Sequence, residues 1–376
     1  MSMDLTFLGT GSAYPSPHRG ASALVLRTDG DCWLFDCGEG TQTQLMKSQL
    51  KAGRITKVFI THLHGDHLFG LPGLLCTISL HSCPAPAKPP PPVEVYGPQG
   101  LRKFLRVALT LSGSQLMFPY VVHELVPGDD QCPPEGLPDG LEPARNDDDD
   151  DGGGGRLHPQ EVLGRTFQLD PEQGCYALLE SPQFVVRAFR LFHRLPSFGF
   201  VVEERPRPGK LNVQLLKELG IKPGPICGRL KNGESVTLEN GVVVSSEDVL
   251  EEAVPGRKVC ILGDCCSLVG DAGRRLCHGA DVLVHEATLE DSLRDKAWEH
   301  GHSTPSMAAE LAEACQVKQL VLYHFSQRYK PQSLLKEKED DNVLELKRQA
   351  EAALNGREVI LAEDFLTIPI PTKRCN

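Results

Sequence analysis

Thr61-His62-Leu63-His64-Gly65-Asp66-His67 places four residues able to ligate a metal within six positions. His62 and His64 are two apart, so in extended backbone their side chains leave from one face. Gly65 permits a turn, after which Asp66 and His67 can aim at a second point close by. The apolar run Val58-Phe59-Ile60 ahead of them reads as a buried strand that delivers the motif at its carboxyl end. Imidazole nitrogens with a carboxylate suit zinc, and manganese, iron or cobalt accept the same donors. A chance surface cluster of histidines has no reason to follow a buried strand.

Four segments downstream repeat the idea of an apolar strand ending in a ligand-type residue. Phe189-Arg-Leu-Phe-His193 offers an imidazole, followed by Arg194, and Cys260-Ile-Leu-Gly-Asp264 offers a carboxylate after a glycine turn. Leu283-Val-His285-Glu286-Ala-Thr288 offers two polar groups, and Leu320-Val-Leu-Tyr-His324 a last imidazole. Each alone reads more readily as hydrogen-bonded structure or a turn residue; the recurrence makes a constellation. Around these, residues 4–8, 22–26, 32–36, 184–202, 259–263 and 319–323 read as strands. Residues 40–51, 68–80, 307–315 and 344–354 read as helices.

The chain has 376 residues, 40% hydrophobic and 24% charged, which suits one large α/β domain with insertions or two domains. No run approaches the ~18 apolar residues of a membrane span, so no membrane partner is expected. Met1-Ser2-Met3-Asp4 runs straight into a strand-like segment, and the expectation is an intracellular protein, in cytosol or nucleus. The thirteen cysteines are scattered, with no C-x-x-C pair, and fit free thiols better than a disulfide framework.

The net charge of −11 includes five consecutive aspartates, Asp147 to Asp151. They lie in a stretch, 127–165, where Gly, Pro and Asp replace any apolar period; it reads as a disordered insertion with nothing to bury. A second excursion, 204–241, carries Arg205, Arg207, Lys210, Lys217, Lys222, Arg229 and Lys231 among prolines and glycines. It is a candidate arm for a polyanion, the plain alternative being a solvated loop.

Taken together, from residue 4 to about 331, the strand-end ligands resemble the metallo-β-lactamase superfamily, whose fold is an α/β sandwich, αβ/βα, of two mixed sheets with helices outside. The resemblance implies a single domain, 1–376, and two Zn2+ ions, with Mn2+ or another divalent metal able to substitute. His62, His64 and His193 would hold one ion; Asp66, His67 and His324 the other; Asp264 would bridge them. His285-Glu286-Ala287-Thr288, Gly301-His302-Ser303-Thr304 and His324-Phe325-Ser326-Gln327-Arg328-Tyr329 are similar to the signature of RNase Z, short ELAC-type form. Phe7-Leu-Gly-Thr-Gly-Ser12 and Ile221-Lys-Pro-Gly-Pro225 fit the same family.

That resemblance implies an endoribonuclease acting on precursor tRNA, cutting 3′ of the discriminator nucleotide to leave a 3′-OH tRNA and a 5′-phosphate trailer. Asp66 would orient the attacking water, and His302, held by Glu286, would protonate the leaving oxygen. Ser326 and Arg328 would take a substrate phosphate, and Lys222 and Arg229 on the arm would grip tRNA in a homodimer. Cys265, beside Asp264 where many relatives have threonine, puts a thiol close to the metals and raises the expectation of oxidation sensitivity. Competing readings are a small-molecule phosphodiesterase or thioesterase of the same superfamily, or a non-catalytic tRNA-binding protein.

Overall fold

The computed structural model describes residues 2–81, 90–134, 156–238, 240–334 and 342–373. Two mixed sheets face one another. The first runs Thr367–Pro369, Asp4–Gly9, Ala23–Arg27, Cys32–Phe35, Ile55–Phe59, Val93–Pro98, Tyr120–Leu125 and Glu161–Val162. Its pairing is antiparallel as far as Cys32–Phe35 and parallel beyond. The second runs Ser267–Leu268, Phe184–Phe192, Ser197–Glu204, Lys258–Leu262, Val282–Glu286, Gln319–Tyr323 and Val359–Leu361, turning parallel after Lys258–Leu262.

The near-continuous apolar strands follow from burial on both faces. In Ile55–Phe59, Phe59 enters the layer between the sheets while its neighbour Val58 enters the layer beneath the helices. Phe35, Phe59 and Tyr96 stand in register on three adjacent strands, their rings stacked at 4.8 and 5.0 Å. Phe200 of the facing sheet closes on Phe59 at 5.3 Å, so a stack of rings sets the sheet spacing just below the His62 motif. The helices Leu71–His81 and Leu101–Leu111 cover the first sheet with leucines at helical spacing. Pro305–Ala314 and Val343–Ala353 cover the second, largely with alanines. The layers are those of an αβ/βα sandwich.

Local differences from the sequence reading have physical causes. The helix expected over 40–51 stops at Lys47, and a 3-10 turn, Ala52–Arg54, follows. The helix expected from 68 is broken into one turn, Gly65–Leu68, and Leu71–His81, because Gly70 donates its amide to Cys37 O at 2.9 Å. Gly38 makes that approach possible: a Cβ there would lie 2.1 Å from Asp66 O. The stretch 184–202 is a hairpin whose turn presents His193.

The ends of the 127–165 insertion are packed, contrary to the expectation that it buries nothing; Asp147 to Asp151 lie outside the described residues. Gln131 is fully buried, its carbonyl accepts from His193 N at 2.9 Å, and its Nε2 donates to Ser197 O at 2.7 Å. Glu161 receives a buried bidentate pair from Arg106 at 2.9 Å.

The basic excursion extends past 241 to a neck closed by the bridges Arg207↔Val254 and Leu211↔Leu250. It carries its own small core of Leu216, Ile221, Leu230, Val236, Val244 and Val249. Over 204–241 its seven cations face four glutamates, and Glu247, Asp248, Glu251 and Glu252 bring the unit to a net charge of −1. The arm is polarised, with its acids at the neck, rather than basic throughout. All described cysteines are free, and only Cys76 and Cys227 are not buried. No helix among the described residues is long and apolar enough to cross a membrane.

Candidate metal centre

The ligand-type residues stand where strands end, at the edge where both sheets deliver their carboxyl termini. His62 to His67 follow Ile55–Phe59 of the first sheet. His193, Asp264, Glu286 and His324 end or follow Phe184–Phe192, Lys258–Leu262, Val282–Glu286 and Gln319–Tyr323 of the second. Two groups converge: His62, His64 and His193, and Asp66, His67, Asp264 and His324, each with its ligand atoms within 4.8 Å of one another. Asp264 Oδ2 faces the first group at 3.8 Å from His62 Nε2 and the second at 3.3 Å from His324 Nε2. Gly65 serves close contact, since a Cβ there would come 2.3 Å from the Phe69 ring.

The inward nitrogens stand within hydrogen-bonding distance of one another. His62 Nε2 is 3.0 Å from His64 Nδ1, and His67 Nε2 is 3.1 Å from His324 Nε2. The outward nitrogens of His67, His193 and His324 already have partners. His67 Nδ1 donates to Asp36 Oδ2 at 2.7 Å and His193 Nδ1 to Gly301 O at 2.6 Å; His324 Nδ1 meets Thr288 Oγ1 at 3.0 Å. Outward donation fixes the tautomer that aims a lone pair inward. Asp264 Oδ1 is buried without a hydrogen-bond partner. Converging lone pairs and an orphan carboxylate oxygen fit divalent cations of the zinc type.

Electrostatics differ between the two groups: burial opposes charge on His67, but Asp264, Asp36 and Asp66 outweigh it and hold its pKa well above the ordinary value. Burial holds His62 well below its ordinary pKa and brings His64 and His193 down to about 4, keeping them neutral. Burial also opposes charge on Asp264, but His324, His67 and His62 outweigh it and keep the carboxylate ionised.

Beside the ligands, His302 Nδ1 donates to Glu286 Oε1 at 2.9 Å. Fully buried Glu286 also accepts from Cys265 N at 2.9 Å and Thr288 Oγ1 at 2.5 Å. Burial disfavours a charged His302, yet Glu286 outweighs it and pushes the imidazole up to about 9. With Nδ1 engaged, Nε2 is the edge left for the cavity of about 370 Å³ that His302 lines with His64, Asp66, Arg194 and Asp264.

Other expected residues lie elsewhere. Ser326 lies in the turn after His324, its amide donating to Thr288 O at 3.1 Å, and Arg328 is exposed. Neither lines the cavity; Arg194 does. Lys222 and Arg229 belong to the arm, where Arg229 pairs with Glu234 at 2.8 Å. His285 turns away, 4.0 Å from the Cys265 thiol. Burial and Glu286 push that buried thiol well up from its ordinary pKa.

Sequence reading missed the supports. Asp36 holds His67 and also accepts from Thr61 N at 2.7 Å. Ala13 N donates to Asp66 Oδ2 at 2.7 Å. Asp36, His324 and Ala13 hold φ of 57°, 57° and 70°, left-handed backbone that a Cβ disfavours. The signal for Asp36 was a carboxylate closing a strand before the Cys-Gly-Glu-Gly turn.

Comparison with known proteins agrees with this geometry. A model described as beta-lactamase superfamily domain matches residues 245–325, and one described as anti-Pycsar protein Apyc1 matches residues 3–87. The chain is 63% identical over 374 residues to zinc phosphodiesterase ELAC protein 1 of Bos taurus, covering both chains completely. It is 36% identical to ribonuclease BN of Cronobacter sakazakii, covering 98% of this chain and 100% of the other. The crystal structure of human tRNase Z, short form, matches with a TM-score of 0.67 at 49% identity, over 98% of this chain and 100% of that one. The strand-end ligands, the αβ/βα layers and full-length identity thus converge: the chain belongs to the ELAC protein 1 family of zinc phosphodiesterases, with the metallo-β-lactamase fold.

Proposed function

We propose that this chain is a zinc-dependent endoribonuclease that hydrolyses the phosphodiester 3′ of the discriminator nucleotide in precursor tRNA. The observation that carries the reading is the convergence, at one cavity, of two ligand groups with the Glu286–His302 pair. Two zinc ions are proposed, one on His62, His64 and His193, the other on Asp66, His67 and His324, with Asp264 between them. Divalent cations held by these residues would supply Lewis-acid activation of a water and charge neutralisation for phosphoryl oxygens.

The chain's residues do the rest. Asp66, fixed by Ala13 N, orients the attacking water. His302 donates its Nε2 proton to the departing 3′ oxygen, and Glu286, accepting from Nδ1, keeps the imidazole protonated until transfer. Arg194, on the cavity wall, takes a non-bridging oxygen. Water adds to phosphorus as the P–O3′ bond breaks, leaving a 3′-OH and a 5′-phosphate. The arm, with Lys222 and Arg229 on a unit with its own core, grips the tRNA body, and two copies pair so that one arm serves the other's site.

The test is a cleavage assay with zinc-loaded protein and precursor tRNA labelled in the trailer. A single cut after the discriminator, abolished by chelator, is expected. Absence of cutting by folded, metal-loaded protein overturns the reading in favour of a small-molecule hydrolase.

A further inference from the structure

The cavity rim carries two aromatic rings that the reaction as described leaves unused. Phe69 and Tyr14 are 63% and 58% exposed, yet both line the hollow that contains His64, Asp66, Asp264 and His302. Phe69 follows the one-turn helix that bears Asp66 and His67. Gly65 lies directly under its ring, and Phe104 backs it nearly parallel, at 6.4 Å and 21°. Tyr14 sits in a loop pinned to the same centre. Ala13 N donates to Asp66 Oδ2 at 2.7 Å, and Gln327 Nε2 donates to the Tyr14 carbonyl at 2.6 Å.

Such anchored, water-facing rings beside a phosphodiester site are the architecture of a base-stacking platform. The volume, about 370 Å³, is near the lower end of the roughly 300–1,000 Å³ range of ligand pockets. It suits one splayed nucleotide rather than a paired end.

Resting on the function proposed above, we infer that Phe69 and Tyr14 clamp the unpaired base that follows the scissile phosphate, the first of the trailer. The side follows from the leaving group. His302 takes the departing 3′ oxygen, and Arg194 shares its wall, since a Cβ on Gly301, the residue before His302, would lie 3.1 Å from Arg194 N. The discriminator therefore occupies the His302–Arg194 side. The aromatic rings, grouped around Asp66, are left to the nucleotide across the phosphate. Stacking is tolerant of base identity because every base offers a π face. Glu39, on the same lining, supplies an acceptor for an exocyclic amine and turns the phosphate backbone away.

The experiment measures kcat/KM for the unaltered chain, Phe69→Ala, Tyr14→Ala and Phe69→Trp, all zinc-loaded, on three precursor tRNAs. One is normal, one is abasic at the first trailer position, and one is abasic at the discriminator. Bound zinc and thermal midpoint report folding, which truncating rim rings leaves intact. The unaltered chain is expected to lose roughly 5- to 150-fold when the first trailer base is removed. Each alanine variant is expected to show a loss of that order, chiefly in KM, on the normal tRNA and little further loss on that abasic one, while Phe69→Trp retains activity. Losses that multiply instead of overlapping overturn the clamp, and coupling confined to the discriminator overturns its side. If the unaltered chain cuts none of the tRNAs, the parent reading fails and takes this inference with it.

Discussion

His302 shows how one side chain's neighbours decide its chemistry. A solvated imidazole shares its proton freely near neutral pH; this one keeps it because Glu286, buried and fed by Cys265 N and Thr288 Oγ1, can only stay ionised beside a cation. His302→Ala is expected to lower kcat by roughly 10²- to 10⁴-fold with both metals retained. Zinc counted per chain alongside turnover checks this, and loss of metal would make His302 a ligand support. Asp36 acts one step further out, on His67 Nδ1. Asp36→Asn is expected to weaken metal affinity by roughly 10- to 100-fold, read by competition with a zinc chelator. Unchanged affinity would reduce Asp36 to a backbone clamp for Thr61.

At the scale of elements, the arm is held where it leaves the body. Glu204 ends one strand and Arg257 precedes the next, and their buried bidentate pair, at 2.8 and 2.9 Å, staples the two crossings of the chain. Glu204→Gln strands a buried guanidinium, and a destabilisation of about 3–5 kcal/mol is expected, measured by denaturant unfolding. Burial opposes the charge on Glu204, but Arg257 holds its pKa below the ordinary value. The pair's stabilisation is therefore complete above the unfolded value of about 4.3 and drains away as pH falls through the lower folded value. The gap between the unaltered protein and Glu204→Gln should close in that acid window; a constant gap would mean that the charge is not what matters. Cutting the arm at its neck, joining 207 to 254, is expected to weaken tRNA binding while sparing bis(p-nitrophenyl) phosphate hydrolysis. Equal loss on both substrates would deny the arm a binding role.

The whole molecule is two sheets whose ligand-bearing ends meet, so a bound cation ties the layers together. Its binding energy adds to folding stability, about 2.7 kcal/mol when free metal exceeds the dissociation constant a hundredfold. Chelation should lower the thermal midpoint, and zinc should restore it. An unchanged midpoint would mean that the folded chain holds no metal in preference to the unfolded one. The packed ends of the 127–165 insertion act at this scale too: Gln131 spans from His193 N to Ser197 O, so a surface excursion sets the pitch of the hairpin that carries a ligand.

The candidate ligands were legible in the chain because they cluster where apolar strands stop, and strand period and terminal polarity are local properties. His62, His64, Asp66 and His67 stood out as a motif, whereas His193, Asp264 and His324, each ordinary alone, were grouped with them by their recurrence at strand ends and by the family resemblance. Their supports were hidden because partnership spans long separations: Asp36 reaches 31 residues to His67, and Thr288 reaches 36 to His324. Arg194 and Phe69 gained significance only once both sheets had placed them around one hollow, whereas Arg328, conspicuous in its motif, was turned to solvent. The helix break at Gly70 was equally non-local, set by the Cys37 carbonyl. Local sequence determined which strands form and what their ends can bind. Tertiary packing alone decided which ends meet, which nitrogens face inward and which rings overlook the cavity, because those depend on three-dimensional registry between sheets.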